Sequence, residues 1–416
     1  MEFDADQIVQ SGACIGCGLC AAVSGGAIRM AWTPEARMRP VTVGDLGPAS
    51  AADAAAACPA LVAGGLDASE AGEGAHADPI WGYWHRAHIG WAGDPELRHR
   101  ASTGGVLSAL SAHLLDTGQA DFILHLGPDP DRPTRGRYRI SRTPEEAADS
   151  GGSWYAPAAP LEGLTEARTL ADQGQRFAFV GKPCDVSAIR LLAQRQDWLA
   201  DALTHRLTIM CGGASDFRKT ADLLAGWGMA EEDVTELRYR GYGNPGPTYA
   251  RDRDDRRAET TYQALWEDET SWALQHRCKI CPDAIGMAAD VVSFDCWPGG
   301  GPEGEDAGFN AVMTRTPVGE QLLTSAVAAG AVVLDTPIGA DDFEDFQPHQ
   351  SRKRLAVWAR LVGQRAATGV APEARGLGTA DLARRQPFDA LLRQARGTRD
   401  RVRSGRGTEP APEEST

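Results

Sequence analysis

Arg277-Cys278-Lys279-Ile280-Cys281-Pro282-Asp283 completes a set of four cysteines whose other two members, Cys184 and Cys211, stand alone far upstream. A CxxC by itself reads as a thioredoxin-type dithiol, but that motif needs a strand before it and a packed helix after it. Here Pro282 and Gly286 indicate a loop. Upstream, Arg176–Val180 is an apolar strand pattern running into Gly181-Lys182-Pro183-Cys184 and a helix-like segment. Arg206–Met210 is a second strand, delivering Cys211-Gly212-Gly213 ahead of a helix expected over Asp216–Trp227. Two strand ends, each carrying one cysteine, suggest parallel strands presenting ligands at a common sheet edge. A thiol at a strand-to-helix junction also meets the positive end of the helix, which favours thiolate. Cys211 taken singly would be a buried hydrophobe. The matching strand end and the downstream CxxC make it a ligand candidate.

A second set lies at the N-terminus: Cys14-Ile15-Gly16-Cys17-Gly18-Leu19-Cys20, then Cys58-Pro59 after an alanine-rich helix over Pro48–Ala57. C-x2-C-x2-C with a remote C-P is the bacterial ferredoxin pattern in outline. The intervening glycines let the backbone wrap closely and aim N–H groups at sulfur. Each set holds four thiols, enough for a tetrahedral zinc or a cubane iron–sulfur cluster. The tight triple spacing favours the cubane. Cys296, the ninth cysteine, reads as a replacement ligand, a redox thiol or a simply buried residue, the last being the default.

Composition narrows the class. With 42% hydrophobic and 24% charged residues, the 416-residue chain is of globular type and long enough for two or three domains. A net charge of -15 argues against a nucleic-acid partner. Only Lys182, Lys219, Lys279 and Lys353 are lysines, and two of them adjoin candidate ligands. The first residues lack a signal-peptide pattern and no apolar run reaches membrane-spanning length, so a cytoplasmic setting is expected. There stable disulfides are disfavoured, and cysteines read as ligands.

The expected organisation is α/β (α+β): a ferredoxin-like N-terminal segment (1–63) attached to a mixed sheet flanked by helices. A linker and aromatic patch (64–98), a body (99–345), a C-terminal helical region (346–400) and a disordered tail (401–416) complete it. Trp81, Tyr83, Trp84 and Trp91, with His85 and His88, form either a cofactor wall or an internal packing patch. Ser102-Thr103-Gly104-Gly105 opens an apolar-periodic helix and suits a phosphate, although an ordinary N-cap looks the same. Asp121–Leu126, Ala288–Phe294, Phe309–Arg315 and Val332–Leu334 are further strands. Ser351–Ala366 is a helix with a basic, solvated face, a candidate dock for an acidic partner.

In combination these features resemble the family of the beta subunit of coenzyme F420-reducing hydrogenase. That family includes flavin- and iron–sulfur-dependent reductases of chlorophyll metabolism. The resemblance rests on Cys14–Cys20, Ser102–Gly105, Gly181–Cys184, Cys211–Gly213, Cys278–Asp283, Ala289–Val291, Gly308–Asn310 and Thr314–Thr316. It implies that Cys184, Cys211, Cys278 and Cys281 bind a central [4Fe–4S] cluster, and Cys14, Cys17, Cys20 and Cys58 an additional one. It places Ser102, Thr103, Gly104 and Gly105 at a flavin, FAD, with Lys182, Asn310 and Arg315 as further contributors. Phe294-Asp295 stands where family members often have Gly-Asp.

The expected activity is electron flow from a one-electron carrier such as ferredoxin, through both clusters and FAD, to a small conjugated or cyclic organic substrate. The alternatives are an F420-reducing or F420-oxidising beta subunit, or a non-catalytic electron-transfer subunit with a hydrogenase- or dehydrogenase-type partner. A zinc-organised interaction protein is the remaining class. Asp290, Asp295, His88 and His276 are proton-donor candidates, each with an ordinary packing role as the stronger reading.

Overall fold

The chain is described by a computed structural model covering residues 3–34, 36–266, 273–297 and 307–409. The glycine- and acid-rich loop expected at 298–307 falls almost wholly outside these residues, as does the end of the tail, 410–416.

An eight-stranded mixed sheet is the centre of the molecule. Its middle is parallel: Val291–Phe294, Leu203–Ile209, Phe177–Gly181 and Phe122–Pro128 lie side by side in that order. Antiparallel strands extend it on both sides. Asn310–Thr314, Ala87–Ala92 and Val332–Pro337 follow beyond Val291–Phe294, and Gly136–Ser141 pairs with Phe122–Pro128. Phe177–Gly181 and Val291–Phe294, in the middle of the sheet, are largely apolar because both of their faces are covered. Phe177 and Phe179 pack in one layer with Val186, Ile189 and Leu192 of the helix Pro183–Ala193. Ala178, one residue out of phase, packs in the other with the helices Val106–Asp116 and Pro317–Ala328. Burying each of these phenylalanines stabilises the fold by about 2–3 kcal/mol.

The N-terminal segment is an antiparallel hairpin, Ile28–Trp32 with Met38–Thr42, beside the expected helix Pro48–Ala57. Its small core of Ile8, Val9, Ala13 and Leu61 is completed by Val370 from the far end of the chain. The mixed α/β architecture expected from the sequence is the one observed.

Three expectations differ from the structure. Residues 64–79 are not a bare linker: Val62–Gly64 pairs in parallel with Glu373–Arg375, and Leu66 and Ala71 are buried. The strand partner lies some 300 residues away, and so it left no local signal. The helix expected at Ser351 begins at Pro348, which fits the first turn because its missing N–H would be unpaired there. Its basic face is not merely solvated. Arg354 is buried and donates to the carbonyls of Pro282 and Leu377 at 3.2 and 2.6 Å, and Arg360 donates to Lys279 O at 3.1 Å. Finally, the segment expected as a disordered tail begins within a helix. The helix Phe388–Arg403 runs into it, and the Glu409 carboxylate lies in an ion pair with Arg39. Among the described residues no helix is long and apolar enough to cross a membrane.

Candidate functional site: two four-thiol hollows

Each cysteine set lines its own hollow. Cys14, Cys17, Cys20 and Cys58 surround the first. Gly16 and Gly18 sit at φ +74° and +85° between the ligand candidates, a backbone that glycine adopts without strain. Space demands glycine at Gly16 as well, because a Cβ there would lie 2.2 Å from Met38 O. The resulting loop turns Gly16 N–H toward Cys14 Sγ at 3.3 Å. Cys58 caps the helix Pro48–Ala57, with its own N–H bonded to Ala54 O.

The second hollow lies at the carboxyl edge of the parallel strands. Val180 is opposite Leu207 and Gly181 opposite Thr208, so both strands end together. Cys184 enters on the first turn of Pro183–Ala193, and Cys211 follows Leu203–Ile209. Cys278 and Cys281 come from the short helix His276–Lys279 and the loop after it. All four line one cavity, joined by Ile15, Lys182, Arg277, Asp283 and Lys353. Ala214 N–H donates to Cys278 Sγ at 3.2 Å. The loop is held by Cys211 N–H donating to Ala284 O at 2.8 Å and Gln350 Nε2 donating to Cys211 O at 3.0 Å. Arg277 reaches back to the other set, its Nη2 donating to Pro59 O at 2.7 Å.

The electrostatics mark these thiols as unusual. Burial pushes Cys58 and Cys211 up to about 12, and holds Cys17, Cys20 and Cys184 well above the ordinary thiol range. In the first set, neighbouring sulfurs add to the rise at Cys20. Lys182 is raised despite burial, because Asp185 and Cys184 favour its charge, and its Nζ lies 2.6 Å from Asp185 Oδ2. Four buried thiols around one space can all ionise only against concentrated positive charge. Among the described residues, no group of three or more His, Cys, Asp or Glu is placed to chelate a single ion. Four thiols lining one hollow are a donor set that a tetrahedral zinc or a cubane iron–sulfur cluster could use.

The residues expected at a flavin divide into three places. Ser102, Thr103, Gly104 and Gly105 form the turn before Val106–Asp116, and Asn310 joins them. Its amide nitrogen bonds Thr103 Oγ1 and its oxygen accepts from Val106 N–H at 3.3 Å. Gly104 lies against the Phe309 backbone, where a Cβ would approach Phe309 Cα to 2.7 Å. Ser102 Oγ is buried without a protein partner, so this turn retains an unused polar group. Lys182 belongs instead to the second hollow. Arg315 stands apart, donating from a fully buried side chain to Trp81 O, Tyr83 O and Ile285 O at 2.7–2.8 Å. Burial lowers it to about 10.

The other candidates are mostly structural. Asp290 accepts from Arg206 N, the Arg206 guanidinium and Thr316 Oγ1. His276 Nε2 donates to Gln364 Oε1 at 2.7 Å. His88 is on the strand Ala87–Ala92, and burial lowers its pKa. Asp295, like His88, is partly exposed, and it is paired with Arg240 at 2.9 Å. Trp81 and Trp84 pack edge-on against Phe343, and Trp91 lies under Arg98, so these three rings already have protein partners, although only Trp81 is buried. Cys296 is buried in the main core. Sequence reasoning missed Lys353, Arg39 and Glu409. The scarcity of lysine could have pointed to Lys353, whereas nothing local distinguishes the other two.

Comparison with known proteins gives this arrangement its class. Residues 87–165 match the model of the coenzyme F420 hydrogenase/dehydrogenase beta subunit N-terminus, and residues 174–338 that of its C-terminus. The chain belongs to the coenzyme F420 hydrogenase/dehydrogenase beta-subunit family, an oxidoreductase family. It is 25% identical over 252 residues to the F420-dependent formate dehydrogenase 1 subunit beta of Methanococcus maripaludis, covering 59% of this chain and 60% of that one. An uncharacterized protein of Methanocaldococcus jannaschii is 23% identical over 59% of this chain and 64% of its own length. The match thus spans less than two thirds of either relative. The coenzyme F420 hydrogenase subunit beta of Methanosarcina barkeri is 21% identical, over 61% of this chain and 82% of that one. A chain of the F420-reducing [NiFe] hydrogenase complex from the same organism shares the fold, with a TM-score of 0.52 and 19% identity. It covers 67% of this chain and 92% of that chain. The second cysteine set lies inside the matched region, and the first lies outside it.

Proposed function

We propose that this chain is the F420-coupling subunit of an oxidoreductase, exchanging electrons between the deazaflavin and a partner protein through two [4Fe–4S] clusters and FAD. The carrying observation is the convergence of Cys184, Cys211, Cys278 and Cys281 on one hollow within the family-matched region. Family membership supports F420 as the two-electron partner over the small cyclic or conjugated substrate suggested by sequence alone. Ferredoxin then gives way to a hydrogenase- or dehydrogenase-type subunit as the preferred partner. Together the clusters and flavin would supply the coupling between one-electron and two-electron transfer.

The chain's own residues prepare both places. Cys184 and Cys211 are fixed by adjacent strand ends, and the Ala214 N–H already points at Cys278 sulfur. Lys182, Arg277 and Lys353 put positive charge around the hollow, which favours an anionic cluster. At the other place, the Ser102–Gly105 turn offers an unpaired hydroxyl beside a helix start, suited to a flavin phosphate.

The test is anaerobic purification with quantification of iron, sulfide and flavin, followed by F420 reduction with a reduced viologen. About eight irons and one flavin per chain, with F420 turnover, are expected. Zinc without sulfide would replace this reading with a zinc-organised protein. Cys281→Ser should remove the central cluster's EPR signal and leave the N-terminal one. Unchanged spectra would reject the second set.

A further inference from the structure

Arg39 lies between the two hollows. Its side chain is wholly buried, and Nη1 donates to Met38 O at 2.8 Å. That same nitrogen is 3.1 Å from the point a Cβ on Gly16 would occupy, in the middle of the first cysteine loop. Nη2 donates to Gln275 Oε1 at 2.8 Å, and the Gln275 carbonyl accepts from Cys278 N–H at 2.9 Å. One guanidinium therefore touches both cysteine-bearing segments. Ile15 forms part of the wall of both hollows, so the two spaces are neighbours.

Glu409 closes this arrangement from the opposite end of the chain. Its carboxylate accepts from Arg39 Nε at 2.6 Å and Nη2 at 2.7 Å, a two-point contact that fixes orientation as well as charge. Arg37 Nη1 adds an ion-pair contact to the same carboxylate at 2.8 Å, while Arg37 Nη2 pairs with Asp216 at 3.1 Å. Among the described residues, Arg39, Glu409 and Arg277 are charged side chains that act on the Cys14 thiol, and Asp185 acts on Cys17. Residues 37, 39 and 409 all lie outside the two family-matched spans.

We propose that Arg39 and Glu409 are positioning residues for the N-terminal centre: their buried ion pair ties the two cysteine loops at a fixed separation and sets that centre's redox potential by balancing one positive against one negative charge. This rests on the reading of the first cysteine set as a cluster site. Adding an electron makes such a centre more negative, so a nearby cation favours the reduced form and a nearby carboxylate disfavours it. The C-terminal segment is thereby a working part of the redox unit.

EPR-monitored redox titration of the full chain provides the test, with iron content measured on every sample. Glu409→Gln keeps the shape and removes the negative charge, so the potential of the N-terminal centre should rise. Arg39→Gln should lower it. Each change should alter the reduced-to-oxidised ratio at fixed potential on the order of tenfold, about 59 mV for a one-electron couple. The double variant should return toward the unaltered value. A role in packing alone would leave both potentials in place or move them the same way, and either result overturns the proposal. Should Arg39→Gln fail to load iron, Glu409→Gln and the double variant decide it by the same signs. An unaltered chain that binds iron only at the central set would overturn the cluster reading itself, and the ion-pair proposal with it.

Discussion

Gly16 shows how much one missing side chain can decide. Its positive φ disfavours a Cβ, and the nearby Met38 carbonyl leaves no room for one. Gly16→Ala should cost at least about 1–2 kcal/mol from backbone strain alone, and the displaced loop should lose its centre. Iron is expected to fall from about eight toward about four per chain, with the central EPR signal kept. Buried His125 makes a separate prediction. Burial lowers it to about 4, while Nδ1–H donates to Leu126 O and Nε2 accepts from the Ser141 hydroxyl. The unfolded chain binds this proton near pH 6.5 and the folded chain only near 4. Stability should therefore decline as pH falls through that window, by roughly 2–3 kcal/mol from this group. His125→Gln should flatten that part of the acid limb in urea melts. Residues of this kind divide in legibility. The glycines between cysteines announced themselves in sequence, whereas nothing local singled out Arg39, because its partners, Gln275 and Glu409, are distant in the chain.

At the scale of elements, local patterning was a good guide wherever the hydrophobic period was clear. Arg176–Val180 and Arg206–Met210 differ from the observed strands by only a few residues, and their parallel pairing follows from a cysteine at each end. The hairpin Thr248–Asp252 with Arg257–Thr260 is equally local, its two strands joined by a short charged turn. Pairings between remote strands were not legible, because alternation identifies a face without identifying its neighbour. Asp290 illustrates what that hides. It tethers Leu203–Ile209 to the start of Val291–Phe294 through Arg206, and to the helix Pro317–Ala328 through Thr316. Asp290→Asn keeps the size but breaks a nearly buried ion pair, and should cost about 3 kcal/mol. The urea midpoint should fall with an unchanged slope. A shift under about 0.5 kcal/mol, the range of an ordinary surface change, would show that Arg206 finds another partner.

Across the whole molecule, the N-terminal module is held by the C-terminal region as much as by the sheet. Val370 fills its core, Glu373 N–H donates to Leu61 O at 2.8 Å, and Glu373–Arg375 pairs with Val62–Gly64. A sequence divided at residues 63 and 346 cannot reveal this, since the two pieces meet only after folding. Gln364 concentrates the connection. From the helix Pro348–Thr368 its Nε2 donates to Ser11 O at 2.9 Å, and its Oε1 accepts from His276 Nε2 at 2.7 Å. One fully buried amide thus joins the first cysteine module, the CxxC segment and the C-terminal helix. Gln364→Leu would keep the apolar packing and leave Ser11 O and the His276 N–H unpaired, at about 1–3 kcal/mol each. Because the lost bonds secure a module rather than the sheet, the damage should be local. Hydrogen exchange at residues 5–13 should accelerate by more than tenfold, the factor that corresponds to about 1.4 kcal/mol. Exchange in Phe177–Gly181 should follow only the smaller change in global stability. Equal acceleration in both places would mean that the module and the sheet open as one unit, and that the C-terminal helix is no separate clamp.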